Sequence, residues 1–205
     1  MIELEKAGGL WIATLNRPEK ANSLTSAMLT ELADIAEAAQ EAQAFVLTGR
    51  GKVFSAGADL EEIKTTEMSV SPEWERLSAA IAALPGLSIA ALNGTLAGGA
   101  CGMALACDLR IAVPGAKVFY PVMKLGYLPQ PSDPARLAAL VGPARAKLIL
   151  MAGQKIEAEE AHSFGLLDRI VEPEALMPTV HTLVADVLSA KPEIARGIKD
   201  LCRAQ

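Results

Sequence analysis

The sequence predicts an α/β domain with a largely parallel sheet, and three observations carry the prediction. Short apolar, strand-like runs alternate with segments of helical periodicity. Glycine-containing turns stand where strand gives way to helix. The chain has 205 residues, 51% hydrophobic and 21% charged, which suits one ordinary globular domain. Aromatic residues make up only 4%, so the core is packed from Ala, Leu, Ile and Val. A platform for stacking single-stranded nucleic acid is therefore not expected. The net charge of −5 points the same way, against a nucleic-acid footprint.

Taken in order, Ile2 and Leu4, then Leu10, Ile12 and Leu15, flank Gly8-Gly9 and predict an opening hairpin. From Thr25 to Gln40 the apolar positions Met28, Leu29, Leu32, Ile35, Ala36 and Ala39 recur at helical spacing, with Thr25 or Ser26 as cap. Phe45 to Leu47 reads as a buried strand. Glu61 to Leu84 reads as an irregular polar piece followed by a helix around Trp74, Leu77 and Ile81, stopped by Pro85-Gly86. Ile89 to Leu92 is a strand, Gly98 to Ala106 a small-residue helix and Leu109 to Val113 another strand. Beyond Pro134 helices are expected over Ala135 to Val141, Ala144 to Met151 and Ala158 to Ser163, then a strand over Leu166 to Val171. Two closing helices lie around Leu176 to Leu188 and Ile194 to Arg203. The division expected is an α/β core over 1–140 and a helical region over 141–205.

The most apolar stretch, Leu84 to Ala106, holds Pro85, Asn93 and five glycines, which suits strand, turn and helix better than a membrane span. The charged start, Met1 to Lys6, does not resemble a signal peptide, and a cytoplasmic protein is expected. Cys101, Cys107 and Cys202 form an odd set without metal-ligand spacing, so reduced structural cysteines and no metal are expected.

Two glycine turns are the most informative features. In Lys52 to Leu60 a strand ends in the small residues Ser55-Ala56-Gly57-Ala58, which let a ligand approach the main chain. In Asn93 to Gly102 a strand leads through Gly98-Gly99 into a helix whose first N–H groups favour an anionic oxygen. Either turn alone is equally well read as tight packing of helix on strand. Together, FSAGADL and ALNGTLAGGACGMALACDLRIA resemble the enoyl-CoA hydratase/isomerase (crotonase) family. The likeness continues through Leu15 to Leu24, Ala116 to Pro129 and Ala161 to Pro173, in the family's order.

The resemblance implies a crotonase-like ββα spiral with a helical C-terminal trimerisation region, assembled as a homotrimer or homohexamer. It implies an acyl-CoA site within 1–140, with coenzyme A as part of the substrate thioester and no separate cofactor, metal, nucleic acid or membrane partner. The N–H groups of Ala58 and Gly99 fall at the family's oxyanion hole. Lys20, Ala21, Asn22 and Leu60 fall at the coenzyme A entrance, and Phe54 and Gly98 beside the substrate. Asp59 and Asp108 also match and are expected to cap and brace backbone.

Both glutamates with which family hydratases position water are absent; ungapped alignment puts Gly102 and Val122 in their places. Some relatives carry a carboxylate later, at the position of Gln130. Asp133 is the only carboxylate from Gly126 to Leu137, and Ser132-Asp133-Pro134 also reads as a helix N-cap followed by proline. Base and cap both stay open. Tyr120 and Tyr127 fill core or interface space or donate a hydrogen bond near the pocket. His162 and His181 match no catalytic spacing, and Ser55 and Cys101 are read as packing residues. No G-x-S-x-G, H-E-x-x-H, Walker A or G-x-G-x-x-G pattern occurs. The leading expectation is an acyl-CoA enzyme that stabilises a thioester enolate, isomerising an enoyl double bond. The alternatives are a non-catalytic acyl-CoA-binding or assembly protein, and a hydrolase or decarboxylase in which Gln130 and Asp133 orient water.

Overall fold

Gly8 and Gly9 reverse the chain between β1 (Ile2–Ala7) and β2 (Leu10–Leu15), which pair antiparallel in the computed structural model, where residues 1–202 are described. Helix α1 (Ser26–Ala38) follows, its N-terminus capped by the Thr25 hydroxyl, which accepts from the Met28 amide at 3.2 Å. It buries Met28, Leu29, Leu32, Ala33 and Ala36, the stripe that the periodicity predicts.

The chain then repeats one unit three times. Strand β3 (Ala44–Gly49) leads to β4 (Val53–Ser55) and to helices α2 (Leu60–Thr65) and α3 (Glu73–Ala82). Strand β5 (Leu87–Leu92) leads to β6 (Thr95–Ala97) and α4 (Ala100–Ala106). Strand β7 (Leu109–Ala112) leads to β8 (Lys117–Phe119) and the short α5 (Val122–Leu125). The remainder comprises α6 (Asp133–Leu150), β9 (Ile156–Glu157), α7 (Ala158–Ser163), β10 (Arg169–Ile170), α8 (Leu176–Ser189) and α9 (Pro192–Cys202).

The first strand of each unit joins a six-stranded sheet ordered β1-β2-β3-β5-β7-β10, and the second joins a four-stranded sheet ordered β4-β6-β8-β9. Successive units therefore stack as a ββα spiral with parallel pairing throughout its middle. Strands β3 and β5 are apolar and buried along almost their whole length, the mark of a sheet covered on both faces.

Of the smaller sheet the sequence anticipates only β4, as the strand that ends at Ser55; β6 and β8 have three residues each, too few to show a period of two. The two helices expected over Ala135 to Met151 are one helical segment with a break at Gly142, whose φ of 81° only glycine adopts readily. The last expected helix, Ile194 to Arg203, is α9, and Arg203 lies outside the described residues. Among the described residues no helix is long and apolar enough to cross a membrane.

Candidate active site

Strands β4 and β6 are parallel neighbours, so their C-terminal ends finish side by side, where open parallel sheets present ligand sites. The chain leaves β4 through Ala56-Gly57-Ala58 and β6 through Gly98-Gly99, and the turns touch. A Cβ on Gly57 would lie 2.8 Å from the Ala97 carbonyl oxygen, 3.2 Å from Gly98 Cα and 3.4 Å from Gly99 N. Both Gly57 (φ 89°) and Gly98 (φ 59°) hold left-handed backbone that admits this approach.

Neighbouring amides in the turns are spoken for. Gly57 N–H donates to Ser55 Oγ at 3.2 Å, Asp59 N–H to the Leu24 carbonyl at 2.8 Å and Gly98 N–H to the Phe119 carbonyl at 3.0 Å. Cys101 and Gly102 donate back to Gly98 and Gly99 in the first turn of α4, so the donors lacking partners there are fewer than the sequence implies. Among the described residues the amides of Ala58 and Gly99 have no protein acceptor. Both residues line one cavity of about 170 Å³, together with Leu60, Ile63, Ser69, Trp74, Gly98, Tyr120, Val122, Tyr127 and Gln130.

Asp59 fixes the first turn. Its Oδ1 accepts from the amides of Glu61 (2.9 Å) and Glu62 (3.3 Å), capping α2, and its Oδ2 accepts from Arg17 Nη1 at 2.6 Å. The Arg17 hydrogen bond, with the capping amides, outweighs the effect of burial and holds the carboxyl at about 2. Trp74 closes the second turn from behind, its ring 3.1 Å from where a Gly99 Cβ would stand. Its indole N–H donates to the Met68 carbonyl at 2.9 Å. The sequence marks Trp74 only as a helix core residue; its place in the cavity wall arises from α3 packing against α4.

Of the other expected site residues, Leu60, Gly98, Val122 and Gln130 line the cavity, and Gln130 Nε2 donates to the Ser69 carbonyl at 3.1 Å. Lys20 is exposed and pairs with Glu61 at 3.6 Å. Ala21 and Asn22 both have φ of 51°, and the fully buried Asn22 is a brace. Its Nδ2 donates to the carbonyls of Arg50 (2.9 Å) and Val53 (2.7 Å), and its Oδ1 accepts from the Arg17 amide at 2.9 Å. Phe54 is fully buried in the core and Gly102 is buried within α4; neither is part of the cavity wall.

Asp133 departs from the expected cap. Helix α6 begins at Asp133 with Ser132 as the N-cap residue and no side-chain capping bond, because Ser132 is engaged with Glu75. The Asp133 carboxylate turns inward, is fully buried and accepts from the Tyr120 hydroxyl at 2.9 Å. Burial raises it to about 6 against the lowering effects of Tyr120 and Arg136. Asp108 braces backbone as expected, accepting from the Ser88 amide and hydroxyl and from Lys199. His162 Nδ1 lies 2.8 Å from the Leu167 carbonyl, far along the chain from the cavity residues, and His181 is exposed. Among the described residues no cluster of His, Cys, Asp and Glu is placed to hold a metal ion.

The sequence and the fold have counterparts. The model of the enoyl-CoA hydratase/isomerase family matches residues 5–205. The crotonyl-CoA hydratase of Syntrophomonas wolfei is 36% identical, over 92% of this chain and 75% of the relative. The short-chain-enoyl-CoA hydratase of Clostridium acetobutylicum is 36% identical, over 92% and 76%. The solved structure of Pseudomonas aeruginosa DspI superposes with a TM-score of 0.89 at 33% identity, over 98% of this chain and 79% of that one. The sequence match, the shared crotonase spiral and the paired glycine turns agree: the chain belongs to the enoyl-CoA hydratase/isomerase family.

Proposed function

We propose that this chain is an acyl-CoA enzyme that holds the thioester carbonyl oxygen between the amides of Ala58 and Gly99 and shifts the double bond of an enoyl-CoA. One observation carries the reading: two amides without protein acceptors, on touching turns, border the same cavity. Removal of a proton beside the thioester sends negative charge to the carbonyl oxygen, and two preset donors stabilise that charge; loss of one such donor typically costs about 3 kcal/mol. The coenzyme A moiety enters as part of the substrate, past Leu60, and the exposed Lys20, which pairs with Glu61, is available to its phosphates. Family membership and relatives named hydratases support acyl-CoA chemistry.

Isomerisation needs one group that takes a proton from one carbon and returns it to another, whereas hydration also needs a group to position water. Gly102 and Val122 carry no titratable atom, and Asp133 is joined to the cavity residue Tyr120 by a hydrogen bond. This favours isomerisation, with Asp133 as the carboxylate on which the proton depends. Gln130 lines the cavity with its amide nitrogen bound to Ser69, leaving its carbonyl oxygen available to orient water, which supports hydrolysis as the second reading.

Incubation with a panel of enoyl-CoA esters in deuterated water tests the proposal. A shifted double bond with deuterium at the exchanged carbon is expected, lost in Asp133→Asn. Formation of a 3-hydroxyacyl-CoA would replace isomerisation by hydration, release of free coenzyme A would favour hydrolysis, and tight binding without turnover would leave a binding protein. The assembly proposed is a homotrimer or a dimer of trimers, supported by an apolar groove of about 350 Å³ between Leu128, Met123 and Met151 and by exposed Leu125.

A further inference from the structure

We infer that Tyr120 is the residue that exchanges a proton with the substrate, and that Asp133 holds that proton behind it, in the space that Gly102 leaves open. The inference rests on the acyl-CoA reading above and assigns the chemistry to a pair of residues. Tyr120 lines the cavity with Ala58 and Gly99, whereas Asp133 lines none of it. A carboxylate shut away from the cavity can act on a substrate only through a group that reaches both. We assign that part to the Tyr120 hydroxyl, which donates to Asp133 Oδ2 at 2.9 Å and accepts from the amide of Gln130, itself a cavity residue, at 3.5 Å.

The surroundings of Asp133 are not those of a structural brace. Among the described residues its Oδ1 is buried without any hydrogen-bond partner, and it caps nothing although it stands at the start of α6. An unpaired, fully buried carboxylate oxygen is costly, and such groups in native proteins call for an explanation. Position 102 supplies the room. A Cβ on Gly102 would lie 2.7 Å from Oδ1 and 3.0 Å from Oδ2, so any side chain there evicts the carboxylate. Gly102 of α4 and Asp133 of α6 are thus a matched pair.

The charged and titratable neighbours are Glu75 on α3, Cys101 on α4, Tyr120 before α5 and Arg136 on α6. Burial, with Glu75, raises Asp133 to about 6, so it is largely ionised at neutral pH and able to accept. Burial and the neighbouring Asp133 push the Tyr120 phenol and the Cys101 thiol up, and both stay protonated.

The step balances without any other reactant. As the substrate C–H bond breaks, its electron pair moves to the thioester oxygen held by Ala58 and Gly99. The proton goes to Tyr120 Oη while the phenolic proton passes to Asp133 Oδ2. In the return, Asp133 gives its proton back to Oη, Oη delivers one to the far carbon of the dienolate, and the carbonyl re-forms. Tyr120 is then the catalytic residue and Asp133 a positioning residue that stores the proton.

The test compares the full chain with Tyr120→Phe, Asp133→Asn, the double variant and Gly102→Ala, using proton exchange and turnover of enoyl-CoA esters across pH. Each single substitution is expected to lower kcat by about 100-fold or more with KM changed less than about threefold, and the double variant to be no slower than the slower single one. The rise of kcat through pH about 6 should vanish in Asp133→Asn. Tyr120→Phe exchanging at the full rate, an acid limb persisting in Asp133→Asn, or multiplying losses in the double variant would overturn the pair while leaving the acyl-CoA reading intact. Infrared difference spectra of the unaltered protein supply a readout independent of the variants' folding and of turnover. A buried carboxyl whose titration moves when an acyl-CoA occupies the cavity supports the pair, and one that ignores the ligand overturns it. Protein that binds no acyl-CoA at all overturns both readings.

Discussion

Asp59 and Asp133 are two buried carboxylates that their surroundings push in opposite directions from the ordinary 3.8. Asp59, held at about 2 chiefly by Arg17, contributes stability that is present above pH 3.8 and lost as pH falls through about 2. Asp133, raised to about 6 chiefly by burial, does the reverse: the folded state prefers its proton, and stability declines as pH rises from about 4 through about 6. Thermal unfolding across pH should therefore show Asp133→Asn gaining on the unaltered protein between pH about 4 and about 6 and then running parallel to it. A difference independent of pH would show that Asp133 ionises as freely in the fold as in water. Gly57 is the other residue on which much depends. In Gly57→Ala the Cβ meets the Ala97 carbonyl and the Gly99 amide, and the φ of 89° is strained. Turnover should fall about 100-fold as the two donors separate, with loss of a few degrees in melting temperature, measured by steady-state kinetics and calorimetry. Unchanged kinetics would detach the turns from the chemistry.

The elements meet through a few side chains whose hydrogen bonds satisfy backbone that the helices and strands leave open. Arg110 on β7 is 3% exposed and reaches the carbonyls of Ala104 and Cys107 at the end of α4, of Asp108, and of Leu166 ahead of β10. It also pairs with Asp168 at 3.3 Å. One guanidinium thus ties the helix behind the second glycine turn to the strand that ends the large sheet. Arg110→Met keeps much of the volume but leaves those carbonyls unmatched, and a loss of about 3 kcal/mol is expected in denaturant unfolding. A loss below about 1 kcal/mol would mean that water replaces the guanidinium. Asn22 plays the same part for the first glycine turn, bracing Arg17, Arg50 and Val53, and the Ser55 hydroxyl donates to its carbonyl at 2.8 Å.

At the scale of the whole molecule, the spiral brings β4 and β6 together at one edge of the small sheet and leaves an apolar face on the outside. Leu128 is 89% exposed and Met151 58%, on the rim of the groove against α6. Apolar surface concentrated in this way suits the subunit interface proposed above. Leu128→Glu should lower the mass in solution toward that of one 21.5 kDa chain, read by light scattering on a sizing column. An unchanged mass would remove this face from the proposed assembly. Since Tyr127 and Leu128 also border the active cavity, the same substitution is expected to raise KM for acyl-CoA.

Much of this was legible in the residues. The opening hairpin, α1, the central strands and the two glycine turns follow from local patterns, because glycine conformations, caps and apolar periods are properties of neighbouring residues. Tandem turns of that composition also carried the family. Apart from the strand that ends at Ser55, the small sheet was not legible, since three-residue strands show no period and exist only as partners of one another. Nor was the hydrogen-bond partner of Asp133. Locally it stands at a helix start, and only the packing of α6 against α4, with no side chain at Gly102, turns its carboxylate inward onto Tyr120. What depends on contacts within one stretch of chain is written in that stretch. The partner of a buried proton is decided by segments that meet only when the whole chain has folded.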